Sequence, residues 1–256
     1  MRILQNHLTR RGAVAGIGAA LVAGCARTAR DPRVVVVGAS PTGVPFSYVD
    51  PATNQLTGAM VDIATMLVTR LGLVADFRIV PFASLVPSLM TGRIDLIAAA
   101  MLRTPERERL VGFSSPVFAY AGGLALRGDE AGHYPDLKSL GALRVGAQIG
   151  TRFVDQLREA GVSRVVTYQG LGDMLRDLAH GRIDAAYGDE PILRTILRVG
   201  PRWHLRMPAE FREAGKEPLC LIGRKDAALL AGIDRQLAGP AHASIAPILS
   251  HWGLQA

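Results

Sequence analysis

Cysteine, metal-ligand spacing and catalytic signatures are nearly missing from this chain of 256 residues. Only two cysteines occur, Cys25 and Cys220. Cys220 lies in the apolar run EPLCLIG and reads as a small core residue rather than a nucleophile. The six histidines form no HExxH and there is no CxxC, so no metal and no other cofactor is expected. Neither GxxxxGK[ST] nor GxSxG is present, and GLG at 170–172 is too short for a dinucleotide loop. Aromatic residues make up 5% of the chain and few lie among its scattered arginines, which argues against a nucleic-acid surface despite a net charge of +7. Long apolar runs are missing too. The N-terminal one, 12–24, is Gly-rich and falls short of the ~20 apolar residues of a spanning helix.

What is present is ample material for a core. Hydrophobic residues are 49% and charged residues 20%, the balance of one large domain or two smaller lobes. The first residues, MRILQNHLTRRGAVAGIGAALVAGCAR, run from a basic start through a small-residue apolar segment, the order of a secretory signal over 1–24. Without Arg2, Arg10 and Arg11 the balance is 26 basic against 22 acidic residues, or +4. VAGC resembles the lipobox of bacterial lipoproteins. That resemblance implies a lipid on Cys25, a linker over 25–32, and a periplasmic protein anchored to the membrane. With Cys25 acylated, Cys220 has no partner for a disulfide. Arg10–Arg11 after Thr9 partly resembles a twin-arginine signal but lacks the usual bulky residues after it, so both export routes stay open.

Beyond the linker, β-branched runs alternate with helical periods. Strands are expected in RVVVVGA from Arg33, ADFRIV from Ala75, IDLIAAA from Ile94, GGLALR from Gly122, LRVGAQ from Leu143, RVVTYQ from Arg164, DAAYG from Asp184 and LCLIG from Leu219. Helices are expected over 60–71, 82–91, 105–111, 151–160, 171–180, 190–199, 226–238 and 241–250. In the first, the apolar positions 60, 63, 64, 67, 68 and 71 share one face. Such alternation implies α/β architecture with largely parallel sheets. SLMTGRIDLIAAA and DLAHGRIDAAYGD repeat one pattern: a helix end, Gly-Arg-Ile-Asp, then a buried strand. Gly92 and Gly181 stand where a helix C-terminal glycine belongs. Two such units suggest two similarly built lobes, each offering the loop after its strand at the edge where open α/β sheets bind ligands.

The first of those loops reads RTPERERL. Thr104 suits an N-cap and Pro105 the first helical position. Arg107 does not suit the first turn, where a cation opposes the helix dipole by roughly a few tenths of a kcal/mol. It is either a tolerated surface residue or a cation placed to hold an anion at the ligand edge. Glu108 and Arg109 read as a solvated helix face. In the second loop Asp189 is either an N-cap or an acid facing Arg107 across a cleft. The pair would then clamp a carboxylate and an ammonium, the minimum for an α-amino acid.

With these residues in place, the chain resembles the family 3 solute-binding proteins of bacterial amino-acid ABC transporters. The likeness spans about 34–253 and rests on VPFSYVD, LTGAMVDIATMLVTRLGL, FASLVPSLMTGRIDLIAAAMLRTPERERLVGFSSPV, LRVGAQIGT and AHGRIDAAYGDEP. It implies a periplasmic-binding-protein type II fold, two α/β lobes joined by a two-strand hinge with a ligand cleft between them. Lobe 1 would comprise 33–122 plus 218–256 and lobe 2 would comprise 123–217, with hinge strands near 122–126 and 218–222. The resemblance implies a monomer that captures an amino acid or related small carboxylate for a membrane permease, without catalysis.

Position by position, Arg107 matches the arginine that binds the ligand carboxylate and Asp189 the acid that takes the amino group. Phe82 matches an apolar position that packs on the ligand, although ordinary core is an equal reading. Thr151 lies in the GT loop that offers N–H groups to the carboxylate. Several positions depart from the pattern. Leu102 replaces the usual Thr or Ser, Ala100 a frequent Gly or Ser, Gly43 an aromatic, and Met60 an acid. Arg152 replaces the second threonine of the loop and has two destinations, a second acidic group on the ligand or solvent. Two alternatives stand beside transport. One is a sensory or accessory binding protein. The other is a periplasmic enzyme resembling cyclohexadienyl dehydratases, which use a Glu three residues after the acid. That position here is Ile192, and the neighbouring Glu190 would point elsewhere on a helix.

Overall fold

Four consecutive valines begin β1 (Val34–Ala39), which is buried on both faces after its first residue, as the centre of a parallel sheet requires. This computed structural model describes residues 31–213 and 215–254; the signal segment and Cys25 lie outside the described residues. Met1–Pro32 is a unit separate from Arg33–Ala256, and the fold is that of the latter. After β1 come the small strands β2 (Thr42–Gly43), β3 (Ser47–Val49) and β4 (Leu56–Thr57), then α1 (Ala59–Arg70), β5 (Val74–Ile79), α2 (Leu85–Met90), β6 (Leu96–Ile97), α3 (Pro105–Leu110) and β7 (Gly112–Phe113). Next are β8 (Phe118–Tyr120), β9 (Gly122–Arg127), β10 (Arg144–Gln148), α4 (Arg152–Glu159), β11 (Arg164–Tyr168), α5 (Leu171–Ala179), β12 (Ala185–Asp189), α6 (Glu190–Val199) and β13 (Leu205–Arg206). The chain ends with β14 (Glu217–Leu219), β15 (Ile222–Gly223), α7 (Ala228–Leu237) and α8 (His242–His251).

The strands make two five-stranded sheets, ordered β5-β1-β6-β15-β7 and β11-β10-β12-β9-β13. Each begins with three parallel strands, β1 between β5 and β6 in one and β10 between β11 and β12 in the other. Helices pack on them as the apolar periods anticipate. α1 buries Met60, Ile63, Ala64, Leu67 and Val68, and each large side chain removed from water contributes roughly 1.5–3 kcal/mol. The result is two α/β lobes. β15 enters the first sheet antiparallel to β6, so the chain leaves that lobe and later returns to it.

The repeated Gly-Arg-Ile-Asp does the same work twice. Gly92 and Gly181 have φ of +69° and +71°. Each donates its N–H back into the helix it ends, to Leu89 and Leu178, while Arg93 and Arg182 reach the carbonyls of Ser88 and Asp177. This is a Schellman closure, and only glycine enters that backbone region at no steric cost. The two aspartates then tie the following strand to the middle strand of the lobe's parallel triplet. The Asp95 carboxylate accepts the N–H of Val36 at 3.0 Å, and that of Asp184 accepts the N–H of Arg144 at 2.9 Å.

Two expected strands are cut short. The run from Ile94 leaves the ladder after Ile97; Ala98 to Met101 remain buried but bend, with Met101 N–H bonded to Ala99 O at 2.7 Å. The run from Leu219 divides into β14 and β15. Cys220 sits in the break, 1% exposed, and burial pushes its thiol up to about 11, as befits an inert core residue. The paired segments that pass between the sheets are β8 and β14, with Glu217 opposite Tyr120. The run from Gly122, expected near the hinge, belongs to the second sheet as β9, between β12 and β13, because its apolar residues are buried there.

The lobes are closed on each other. Gly150, between β10 and α4, has φ of +78°, and a Cβ there would lie 2.8 Å from the Cβ of Ala83, in the 3₁₀ turn Phe82–Ser84 of the first lobe. Gly170 makes a similar approach to Thr42. Gly150→Ala is therefore expected to cost about 1–2 kcal/mol for the left-handed backbone and to hold the lobes apart. Urea unfolding and small-angle scattering read the two effects; unchanged stability together with an unchanged radius of gyration contradicts this contact.

Candidate functional site

The loops after β6 and β12 meet across the seam between the lobes. Thr104 caps α3 by accepting the N–H of Arg107 at 3.3 Å, and Pro105 takes the first helical position. No residue of α3 is buried, yet the half-buried side chain of Arg107 turns inward. One guanidinium nitrogen donates to Leu102 O in its own lobe, and the other to Gly150 O in the opposite lobe at 2.7 Å. Its guanidinium carbon stands 5.9 Å from the ring centre of Phe82. Among the described residues no carboxylate pairs with it. Burial pulls the guanidinium below its ordinary range, an effect opposed by Tyr120 and Asp189. The molecule thus holds a partly desolvated cation on two carbonyl dipoles beside an aromatic ring, an arrangement that an entering anion would improve.

Asp189 closes β12 at the N-cap position of α6, but its side chain caps nothing there. The residue is 3% exposed, and its carboxylate accepts the Tyr120 hydroxyl at 2.5 Å. The same hydroxyl oxygen lies 3.1 Å from Ala100 O. Burial pushes the Asp189 carboxyl up to about 6, against the opposing effects of the Tyr120 hydrogen bond, its own backbone N–H and Arg107.

Each remaining candidate has a definite place. Phe82 is buried with Leu85, Leu89 and Ile97 and also underlies Arg107, so core and site edge are one role. Thr151 turns both its hydroxyl, at 2.7 Å, and its own N–H, at 3.3 Å, to Gln148 O; that N–H is engaged within its own turn. Ala100 and Leu102 are buried and meet the site through their carbonyls. Arg152 goes to neither expected destination. It bridges Glu213 at 2.9 Å and Glu217 at 2.7 Å. Glu213, whose side chain is 6% exposed, also accepts the Gln156 amide at 2.9 Å and the N–H of Gly122. The Tyr187 hydroxyl completes the network by donating to Gln156 at 3.0 Å.

Sequence reasoning had no signal for Glu213, because EFREAGKE reads as a solvated run. Tyr120 had a faint one, a polar-tipped aromatic closing the apolar run PVFAY. Gly150 was readable only as part of the loop before a helix.

A cavity of about 590 Å³ opens between α3 and α4, lined by Thr104, Arg107, Gly150, Arg152 and Glu217 among others. It reaches the cationic pole and not Asp189. Among the described residues there is no cluster of His, Cys, Asp or Glu suited to a metal, and no helix is long and apolar enough to cross a membrane.

Known proteins share this architecture. The family model for bacterial extracellular solute-binding proteins, family 3, matches residues 35–254. The ABC transporter arginine-binding protein 1 of Escherichia coli K12 is 28% identical over 185 residues, 72% of this chain and 74% of that protein. The structure of holo ArgBP from T. maritima superposes with a TM-score of 0.74 at 28% identity, covering 86% of this chain and 96% of the other. An ancestral amino acid-binding protein, a precursor of cyclohexadienyl dehydratase, gives 0.76 at 24% identity over 86% and 95% of the two chains, a likeness of fold. The fold is the periplasmic-binding-protein type II fold, as the sequence resemblance implied.

Two stability measurements follow from the site. Arg152→Ala leaves the buried Glu213 carboxylate without its cation and is expected to cost about 3 kcal/mol. Glu213→Gln in that background should recover at least about 1 kcal/mol in urea unfolding; no recovery would mean that the cost is lost packing. Asp189 titrates near 6 in the folded chain and near 3.9 when unfolded. The folded state therefore binds the extra proton between those values. Stability from this group falls as pH rises from about 4 to about 6 and is level above. The stability of wild type relative to Asp189→Asn should decline across that window by up to about 3 kcal/mol, measured by urea unfolding at each pH. A flat difference overturns the assignment.

Proposed function

The chain belongs to the bacterial extracellular solute-binding proteins, family 3, and from that premise we propose that it captures an amino acid or related small carboxylate for an ABC importer. The state of Arg107 carries this reading. Arg107 lines the cavity between α3 and α4, and the hydrogen-bond partners of its guanidinium among the described residues are carbonyls. A ligand carboxylate offers two oxygens in a plane, which a guanidinium fork matches. The partners come from both lobes, so a ligand that engages Arg107 acts at the seam and couples its binding to closure. The arginine-binding names of its relatives support the amino-acid class, and a membrane permease would receive the ligand from the closed form. Secretion, the lipid anchor at Cys25, periplasmic location and a monomeric state complete the proposal; export and anchoring rest on the sequence.

Catalysis on this scaffold has less support. The position three beyond Asp189 is Ile192, buried and apolar. Glu190 is engaged along α6 by Arg194 at 2.6 Å. No carboxylate thus stands where the dehydratase-like reading needs one.

Arg107→Ala is expected to weaken ligand binding at least 100-fold, about 2.7 kcal/mol, while leaving the thermal midpoint within a few degrees. Calorimetry against a panel of amino acids and small mono- and dicarboxylates checks this. A ligand whose affinity changes less than tenfold in the variant refutes the assignment.

A further inference from the structure

The two poles of the clamp differ in access. Arg107 lines the cavity, whereas Asp189 does not line it, is 3% exposed and is bonded to Tyr120. The Tyr120 hydroxyl stands 2.5 Å from the Asp189 carboxylate and 3.1 Å from Ala100 O. A point between a carboxylate and a carbonyl is where an α-ammonium would find two acceptors, and here the protein's own donor occupies it. The side chains of Ala100 and Leu102 offer no hydrogen-bonding group to rebuild that site around a ligand.

Tyr120 is a fixed wall rather than a side chain waiting to swing. It is 3% exposed. Its ring stacks on Phe46 with centroids 5.3 Å apart and on Phe118 at 6.1 Å, and its backbone is paired with β14. Displacing the ring would break these aromatic contacts and leave the phenol without its acceptors.

We propose that Tyr120 is a specificity-determining residue that fills the ammonium position at Asp189, so that the site takes small carboxylates lacking an α-ammonium, such as 2-hydroxy acids or dicarboxylates, in preference to α-amino acids. This rests on the reading that Arg107 binds a ligand carboxylate. A carboxyl that burial pushes up to about 6 is also a weaker standing partner for a cation than one ionised at every working pH.

The test is calorimetry with matched L-amino acids, L-2-hydroxy acids and simple mono- and dicarboxylates on wild type, Tyr120→Phe and Tyr120→Ser. Wild type should bind the best ammonium-free carboxylate at least tenfold more tightly than its amino-acid counterpart. Tyr120→Phe removes the hydroxyl that occupies the ammonium position and should narrow that preference at least threefold; an unchanged preference means that the hydroxyl is not what sets it. Tyr120→Ser frees Asp189 and should improve amino-acid binding at least tenfold relative to the hydroxy acid. Should the serine variant fail to fold, the wild-type and phenylalanine preferences decide. A wild type that prefers the amino acid tenfold overturns the role of Tyr120 and leaves the carboxylate reading standing. Binding of neither series, or binding insensitive to Arg107→Ala, overturns that reading and this proposal with it.

Discussion

A half-buried guanidinium that has no carboxylate partner among the described residues is the constraint around which this molecule is arranged. Arg107 is held by one carbonyl from each lobe, and neutral dipoles stabilise a desolvated cation less than an ion pair would. The helix that carries it is short and has no buried residues. Its inward course therefore comes from the seam between the lobes. Gly150 makes that seam possible, because the absence of a Cβ lets its loop lie directly on Ala83.

The opposite pole shows how one phenol changes the meaning of an acid. Asp189 closes the strand of the second Gly-Arg-Ile-Asp unit, as Arg107 follows the strand of the first. Symmetry of construction would make the two a matched clamp. Tyr120, on the strand that passes between the lobes, satisfies the acid from within the protein. The clamp is thus built on one side and already occupied on the other.

A third set of charges ties the second lobe to the connecting strands. Glu213 and Glu217 hold Arg152, and Glu213 also takes the N–H of Gly122 at the start of β9. A buried carboxylate with several donors is stable only while all of them are in place. The start of α4, the start of β9 and the loop before β14 are therefore fixed to one another. This explains why an arginine beside the cavity is not free to serve a ligand.

The linear order of residues determined the alternation of strands and helices, because periods of two and 3.6 are local properties. It determined the two Gly-Arg-Ile-Asp units, because a left-handed helix end needs glycine wherever it occurs. It marked Arg107 as well, since a cation in a first turn opposes the dipole of its own helix. It did not reveal where strands would stop, as at Ile97, because a buried bend and a buried strand are equally apolar. Only the tertiary structure decided the partners of the charges. Glu213 lies 61 residues from Arg152 and Tyr120 lies 69 from Asp189. Nothing local in a solvated-looking loop or an apolar run records which distant group it will meet. Whether a charge is free for a ligand depends on such meetings, and they exist only once the lobes have folded and closed.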